Sequence, residues 1–112
     1  MMAVYVSNIV IEQGYDFDTS FQLEDTRTNS PLDLSGTTSE SQLRKHSGAS
    51  TAVSFASSVT NPTDGQITIS LTSAQTVNLK PGRYVYDVKI LSAGKEYKAV
   101  EGAALVRAGV TR

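Results

Sequence analysis

With 112 residues, 39% of them hydrophobic and 19% charged, the chain is long enough for one modest core and too apolar for a disordered tail. Ten basic against eleven acidic side chains leave a formal charge of −1, without the basic excess that neutralising nucleic-acid phosphates requires. The lack of any cysteine removes disulfides, thiolate metal sites and a cysteine nucleophile together.

One domain is expected over residues 1–112, with residues 1–6 and 107–112 able to extend from it. The opening Met1-Met2-Ala3-Val4-Tyr5-Val6 has neither the positive segment and long apolar run of a signal peptide nor the length of a membrane span. Residues 4–12 are rich in β-branched and aromatic side chains and read as a first strand ending at Gln13-Gly14. Residues 16–24 then alternate, with Phe17, Thr19, Phe21 and Leu23 on one face and Asp16, Asp18, Ser20, Gln22 and Glu24 on the other. Such a period of two describes a sheet with one wet side.

A polar segment closed by Pro31 reads as a loop, followed by the short apolar patch Leu32-Asp33-Leu34 before Ser35-Gly36. Residues 39–45 form a third main strand in which Leu43 is the only large hydrophobe, so Gln42, Arg44 and Lys45 are expected on a sheet edge open to assembly. Residues 52–56 alternate around Val53 and Phe55, and Asn61-Pro62-Thr63-Asp64-Gly65 carries the strongest turn chemistry of the chain. Residues 66–71 place Ile67, Ile69 and Leu71 on one face. Residues 72–78 are the one stretch suited to a helical turn, capped by Thr72 or Ser73.

Next comes Leu79-Lys80-Pro81-Gly82-Arg83-Tyr84, in which a Pro-Gly turn enters a strand that alternates Tyr84, Tyr86, Val88 and Ile90 against Arg83, Val85, Asp87 and Lys89. The spacing of Leu79, Pro81, Gly82 and Tyr84 looks like the tyrosine corner of immunoglobulin-type sandwiches, whose hydroxyl bonds back to upstream backbone. Ser92-Ala93-Gly94-Lys95 then joins this strand to residues 96–106 as a hairpin, with Gly102 suggesting a bulge. Short strands with regular turn signals and no substantial helix predict an all-β fold, an immunoglobulin-like antiparallel β-sandwich of about seven or eight strands.

Chemistry is sparse. The single histidine, His46, stands among Arg44, Lys45, Ser47 and Gly48 with no acid nearby in sequence, and reads as a solvated side chain rather than a general base. Too few imidazoles remain for an ordinary zinc site. Asp16 and Asp18 share one side of a strand, an Asp-x-Asp spacing able to offer oxygens to calcium, but the alternation explains them as a wet face. Tyr5, Tyr15, Tyr84, Tyr86 and Tyr97 would make a sugar-stacking platform only if several were exposed on one face, whereas strand tyrosines are more often core. Neither phosphate-binding glycine motif is present. The expectation is therefore no enzyme, no cofactor and no metal.

The pattern as a whole carries more. Met-Ala-Val-Tyr-Val-Ser-Asn at the start, Asp16-Phe17 with Phe21, Leu32-Asp33-Leu34-Ser35-Gly36 before Gln42-Leu43-Arg44-Lys45, Asp64-Gly65-Gln66-Ile67, the corner strand through Val88, Glu101-Gly102 and Gly109-Val110-Thr111-Arg112 together resemble small structural proteins of tailed bacteriophages. The resemblance is to marine and cyanobacterial phage virion proteins and to N-terminal domains of baseplate upper proteins and tail-fibre adaptors. It implies a virion component that is a homo-oligomer or present in multiple copies in the particle, made in the bacterial cytoplasm. Its partners would be other virion proteins in the tail and baseplate or on the capsid as decoration, with no nucleic acid and no membrane. The edge at Gln42, Arg44 and Lys45 and a terminus at Val110, Thr111 and Arg112 are the candidate contacts. A carbohydrate or host-surface binding module on the same fold is the alternative.

Overall fold

The structure is a computed structural model that describes residues 5–24, 30–46, 48–50 and 52–110. Its strands in chain order are β1 (Tyr5–Val6), β2 (Ile9–Glu12), β3 (Phe17–Gln22), β4 (Thr38–Arg44), β5 (Val53–Asn61), β6 (Gln66–Leu71), β7 (Gly82–Ser92) and β8 (Lys95–Arg107). A 3-10 turn at Pro62–Asp64 joins β5 to β6, and one helical turn, α1 (Ser73–Thr76), precedes β7. All eight strands belong to one curled sheet ordered β1-β8-β7-β4-β5-β6-β3, with β2 continuing beyond β1 along β8.

The curl originates in β5. Its first residues pair with β4, as in Leu43↔Val53 and Ser41↔Phe55, and its later ones leave β4 and pair with β6 from Ala56↔Ser70 to Val59↔Ile67. The β6–β3 limb is thereby turned over the β4–β7–β8 limb. Phe17 lies 6.1 Å from Phe55, Phe21 lies 6.5 Å from Tyr86, and Phe55 lies 6.2 Å from Tyr86, all between ring centroids. Around these rings Ile11, Leu23, Leu34, Leu43, Ile67, Ile69, Val88, Val100 and Val106 are buried in one core. In β6 and β7 the buried positions are Ile67, Ile69 and Leu71 and then Tyr86, Val88 and Ile90, the alternation read from sequence.

Six expectations change. The sheet is mixed rather than antiparallel, because β1 and β2 run parallel to β8. It is also continuous through β5, so the structure shows an all-β curled sheet rather than two separate antiparallel layers. The third strand is not an edge. β4 is hydrogen-bonded to β5 on one side and to β7 along Thr38–Arg44 on the other, which places Gln42 inside the sheet. A strand can lie centrally with few hydrophobes when small hydroxyls fill its inward positions, and here Ser41 is buried and donates to the Asp87 carbonyl at 2.7 Å.

The first strand is broken in two at Ser7-Asn8. The break leaves the Ala103 N–H without a strand partner, and the Asn8 side-chain oxygen accepts from it at 3.1 Å. Gly102 is not the bulge. The register shift opposes Val88 to Val100 and Lys89 to Lys98, which makes Ala99 the extra residue. The fifth strand runs beyond residue 56 because its later positions are hydroxyl-bearing, with Thr60 reaching Thr68 at 3.2 Å and Ser57 reaching Ser39 at 2.7 Å. The β7–β8 hairpin turns through Ala93 at φ 53° and Gly94 at φ 78°, the paired positive φ values that match strand twist in a two-residue loop.

Candidate interaction surfaces

The corner is built by α1 and the residues after it. Thr72 caps α1 with its side chain on the Gln75 N–H, while the Gln75 side chain accepts from the Thr72 N–H at 2.9 Å. The buried Leu79 then donates its N–H to the Thr76 carbonyl at 3.0 Å and offers its own carbonyl to Gln13 Nε2 at 2.9 Å. Gly82 has φ 148°, a region side chains avoid, and leads the chain from Pro81 into β7. Two residues on, the Tyr84 hydroxyl donates to the Lys80 carbonyl at 2.8 Å. Lys45 Nζ stands 4.8 Å over the Tyr84 ring, a cation–π contact that closes the corner from outside.

Sequence reasoning missed the member that ties this corner to the rest. Thr76 is fully buried, and its hydroxyl donates to the Tyr15 carbonyl at 2.8 Å while accepting from the Gly14 N–H at 3.0 Å. One side chain thus satisfies two backbone groups of the link between β2 and β3. A threonine inside a polar, weakly helical stretch carries no signal that would have singled it out.

The residues expected at an assembly edge hold intramolecular contacts instead. Arg44 donates to the Ala49 carbonyl and, at 3.0 Å, to Gln42 Oε1, while Lys45 covers Tyr84. Among the described residues the strands with only one neighbour are β3, paired to β6 alone, and the β1–β2 line, paired to β8 alone. At the other candidate contact, Gly109 is buried and its N–H reaches Gln13 Oε1 at 3.5 Å, whereas Val110 is 94% exposed. Thr111 and Arg112 lie outside the described residues.

Asp16 uses its Oδ1 to accept from the Ser73 N–H at 2.6 Å, and Asp18 is exposed on β3. Among the described residues no three His, Asp or Glu side chains converge. His46 is exposed just past β4. Of the tyrosines, Tyr86 is buried and donates to the Ser7 carbonyl, and Tyr5 and Tyr84 pack against the core. Tyr15 and Tyr97 are exposed, but Tyr97 is near the start of β8 whereas Tyr15 follows Gln13, which bonds Arg107 at its end. At about 3.3 Å per residue that separates them by about 30 Å, too far for one platform.

The outer face of β4, β7 and β8 forms a shallow trough of about 1180 Å³. Charges line it in two clusters: Lys89 with Glu96 at 2.9 Å and Glu40 at 3.3 Å, and Lys98 with Glu101 at 3.2 Å and Asp87 at 3.7 Å. Hydrogen bonding to Glu96 and then Glu40 raises Lys89 above its ordinary value, and Glu101 does the same for Lys98. Burial raises the Tyr86 phenol, against a smaller opposing effect of its bond to Ser7. At Asp33, hydrogen bonds from Ser35 lower the carboxyl, an effect of a local turn far from the trough. Exposed pairs of this kind add little stability each, but they give the face a defined charge pattern.

No protein-family model and no curated protein matches the chain. Among solved structures it superposes on the crystal structure of Listeria monocytogenes InlP with a TM-score of 0.48 and 19% identity, over 90% of this chain and 26% of that one. The chain thus spans about a quarter of that protein's length, and a superposition at this level carries no functional argument.

Proposed function

We propose that the chain is a non-enzymatic structural protein of a tailed-bacteriophage virion. In this reading the curled sheet is an immunoglobulin-like sandwich in which β5 passes from one layer to the other. The bond from Tyr84 to Lys80 and the Phe17 and Phe21 rings set against Phe55 and Tyr86 support that reading of the fold. The observation that carries the role is the presence, among the described residues, of two one-sided strand lines, β3 and β1–β2, whose outer backbone groups could pair with a neighbouring chain.

The carbohydrate-binding alternative has less in its favour, because the two exposed tyrosines stand at opposite ends of β8. The test is mass spectrometry and electron cryomicroscopy of purified particles of the phage that encodes the chain. Multiple copies in the tail, baseplate or capsid shell are expected. Absence of the chain from intact particles would overturn the reading.

A further inference from the structure

The two open strand lines of the sheet are protected unequally. β3 presents Asp18, Ser20 and Gln22 on its exposed side, and Ser20 is engaged by Thr68 at 2.8 Å. A charge within an edge strand is one of the devices that discourage pairing with another chain. β1–β2 carries no charge or proline from Tyr5 to Ile11, and Val6 and Val10 are 74% and 50% exposed along it. Its first charge, Glu12, is already answered by Arg107 at 3.4 Å.

Register fixes where the free backbone groups of β2 point. The evenly spaced bonds of a parallel ladder use both the N–H and the C=O of every second residue. Ser7 and Gln13 give their N–H groups to the Glu101 and Arg107 carbonyls, both at 2.9 Å, and one register runs along β8 from Tyr5↔Val100 to Glu12↔Arg107. The odd-numbered residues thus serve β8, and Asn8, Val10 and Glu12 turn their backbone groups outward. An antiparallel copy of β2 on this edge pairs even residues with even residues, because those exchange both bonds. Centring it on Glu12 opposes like charges, and centring it on Asn8 crosses the break between β1 and β2. Centring it on Ile9 or Ile11 sets Val10 against Asn8 or Glu12. Only the register centred on Val10 sets like with like: Val10 meets Val10, Ile9 meets Ile11 on the inner side, and Asn8 meets Glu12.

We infer that the β2 edge pairs antiparallel with β2 of a second copy about a two-fold axis at Val10, which joins the two curled sheets into one. A second copy is the occupant because this edge complements itself in backbone and side chains together. The outward groups of Asn8, Val10 and Glu12 meet their own kind in about six main-chain bonds. The central row across both copies reads Leu105–Val10–Val10–Leu105, and the rows flanking it place Asn8 against a Glu12 that Arg107 supports from behind. Asn8 spends its side-chain oxygen on the Ala103 N–H, which leaves its amide nitrogen to donate to that carboxylate. The inference rests on the reading that open strand edges carry assembly, and a chain found in phage particles yet monomeric in solution overturns the dimer alone. A contact over residues 8–12 falls well short of the roughly 800 Å² per partner of a standard interface, so the dimer is reversible and depends on concentration.

Sedimentation equilibrium of the full chain across a concentration series tests this, with circular dichroism as the check on folding. The parent chain is expected to show a monomer–dimer equilibrium. Val10→Lys and Val10→Glu each set like charges on the axis and raise the dissociation constant by at least about tenfold, whereas an equimolar mixture of the two variants regains association because opposite charges then meet. Val10→Pro removes an N–H that serves no bond within the chain, so it leaves the fold intact and abolishes the dimer. Ser20→Lys, on β3, leaves the dimer unchanged. A parent that stays monomeric at the highest concentration overturns the inference, as does a dimer indifferent to Val10→Lys or lost on Ser20→Lys. Should Val10→Pro unfold, the charge variants at this exposed position decide: folded Lys and Glu variants that do not associate when mixed also overturn it.

Discussion

Replacing Gly102 with Ala pits two opposite expectations against each other. In a strand interior, Gly is about 0.5–1 kcal/mol less favourable than Ala, so with open space around it the substitution would stabilise the protein. Here a Cβ at Gly102 would stand 2.1 Å from the Ser7 carbonyl oxygen and 2.8 Å from its carbon. Those are backbone atoms, pinned by the Ser7 N–H on the Glu101 carbonyl at 2.9 Å and by the Tyr86 hydroxyl on the Ser7 carbonyl. The β1–β2 junction must move away, with an overpacking cost of about 1–3 kcal/mol, and the buried Tyr86 hydroxyl is left short of its acceptor for about 1 kcal/mol more. Less the backbone gain of about 0.5–1 kcal/mol, the expected net loss is about 1–3.5 kcal/mol, or a drop of roughly 4–14 °C in melting temperature at about 4 °C per kcal/mol for a domain of this size. Thermal melting followed by circular dichroism reads it. Tyr86→Phe separates the two contributions, since combining it with Gly102→Ala should cost less than the sum of the single changes. A Gly102→Ala variant as stable as the parent, or more so, would refute the close approach of β8 to Ser7.

Thr76→Val keeps the shape of the side chain but strands the Gly14 N–H and the Tyr15 carbonyl, and should cost about 2 kcal/mol in a urea denaturation series; an unchanged midpoint would mean that the link from β2 to β3 does not depend on Thr76. Tyr84→Phe removes only the bond to Lys80, so a loss of about 1 kcal/mol is expected, and a melting temperature equal to the parent's would deny the corner its bond. Asp33, lowered from 3.8 by its bonds from Ser35, contributes stability that is complete above 3.8 and is lost as pH falls through its lower folded value. Carboxyl NMR should therefore place its midpoint below 3.8, and a midpoint at or above it would contradict the turn.

Local features were the legible part. The alternation through Ile67, Ile69 and Leu71, the cap at Thr72, the Ala93-Gly94 hairpin and the Leu79-to-Tyr84 corner all depend on residues within a few positions of one another, and each stands where its spacing places it. The edge at Gln42, Arg44 and Lys45 was misread because sparse hydrophobicity suggested exposure, whereas Ser41 and its hydroxyl let β4 run through the middle of the sheet. Gly102 was read as a kink in its own strand; the reason for it is a carbonyl of Ser7, which lies 95 residues away in sequence from Gly102.

By itself the amino-acid sequence determined that the chain would be β-rich, where most of its strands and turns would fall and which face of each would be wet, because backbone sterics and period-two patterning act over short range. Only the tertiary structure decided which strands are neighbours, that β1 and β2 run parallel to β8, and that Val10, Leu105 and Val85 meet on one outer face. Pairing register joins residues tens of positions apart, and its outcome is chosen by the packing of the whole core rather than by any segment's own preference.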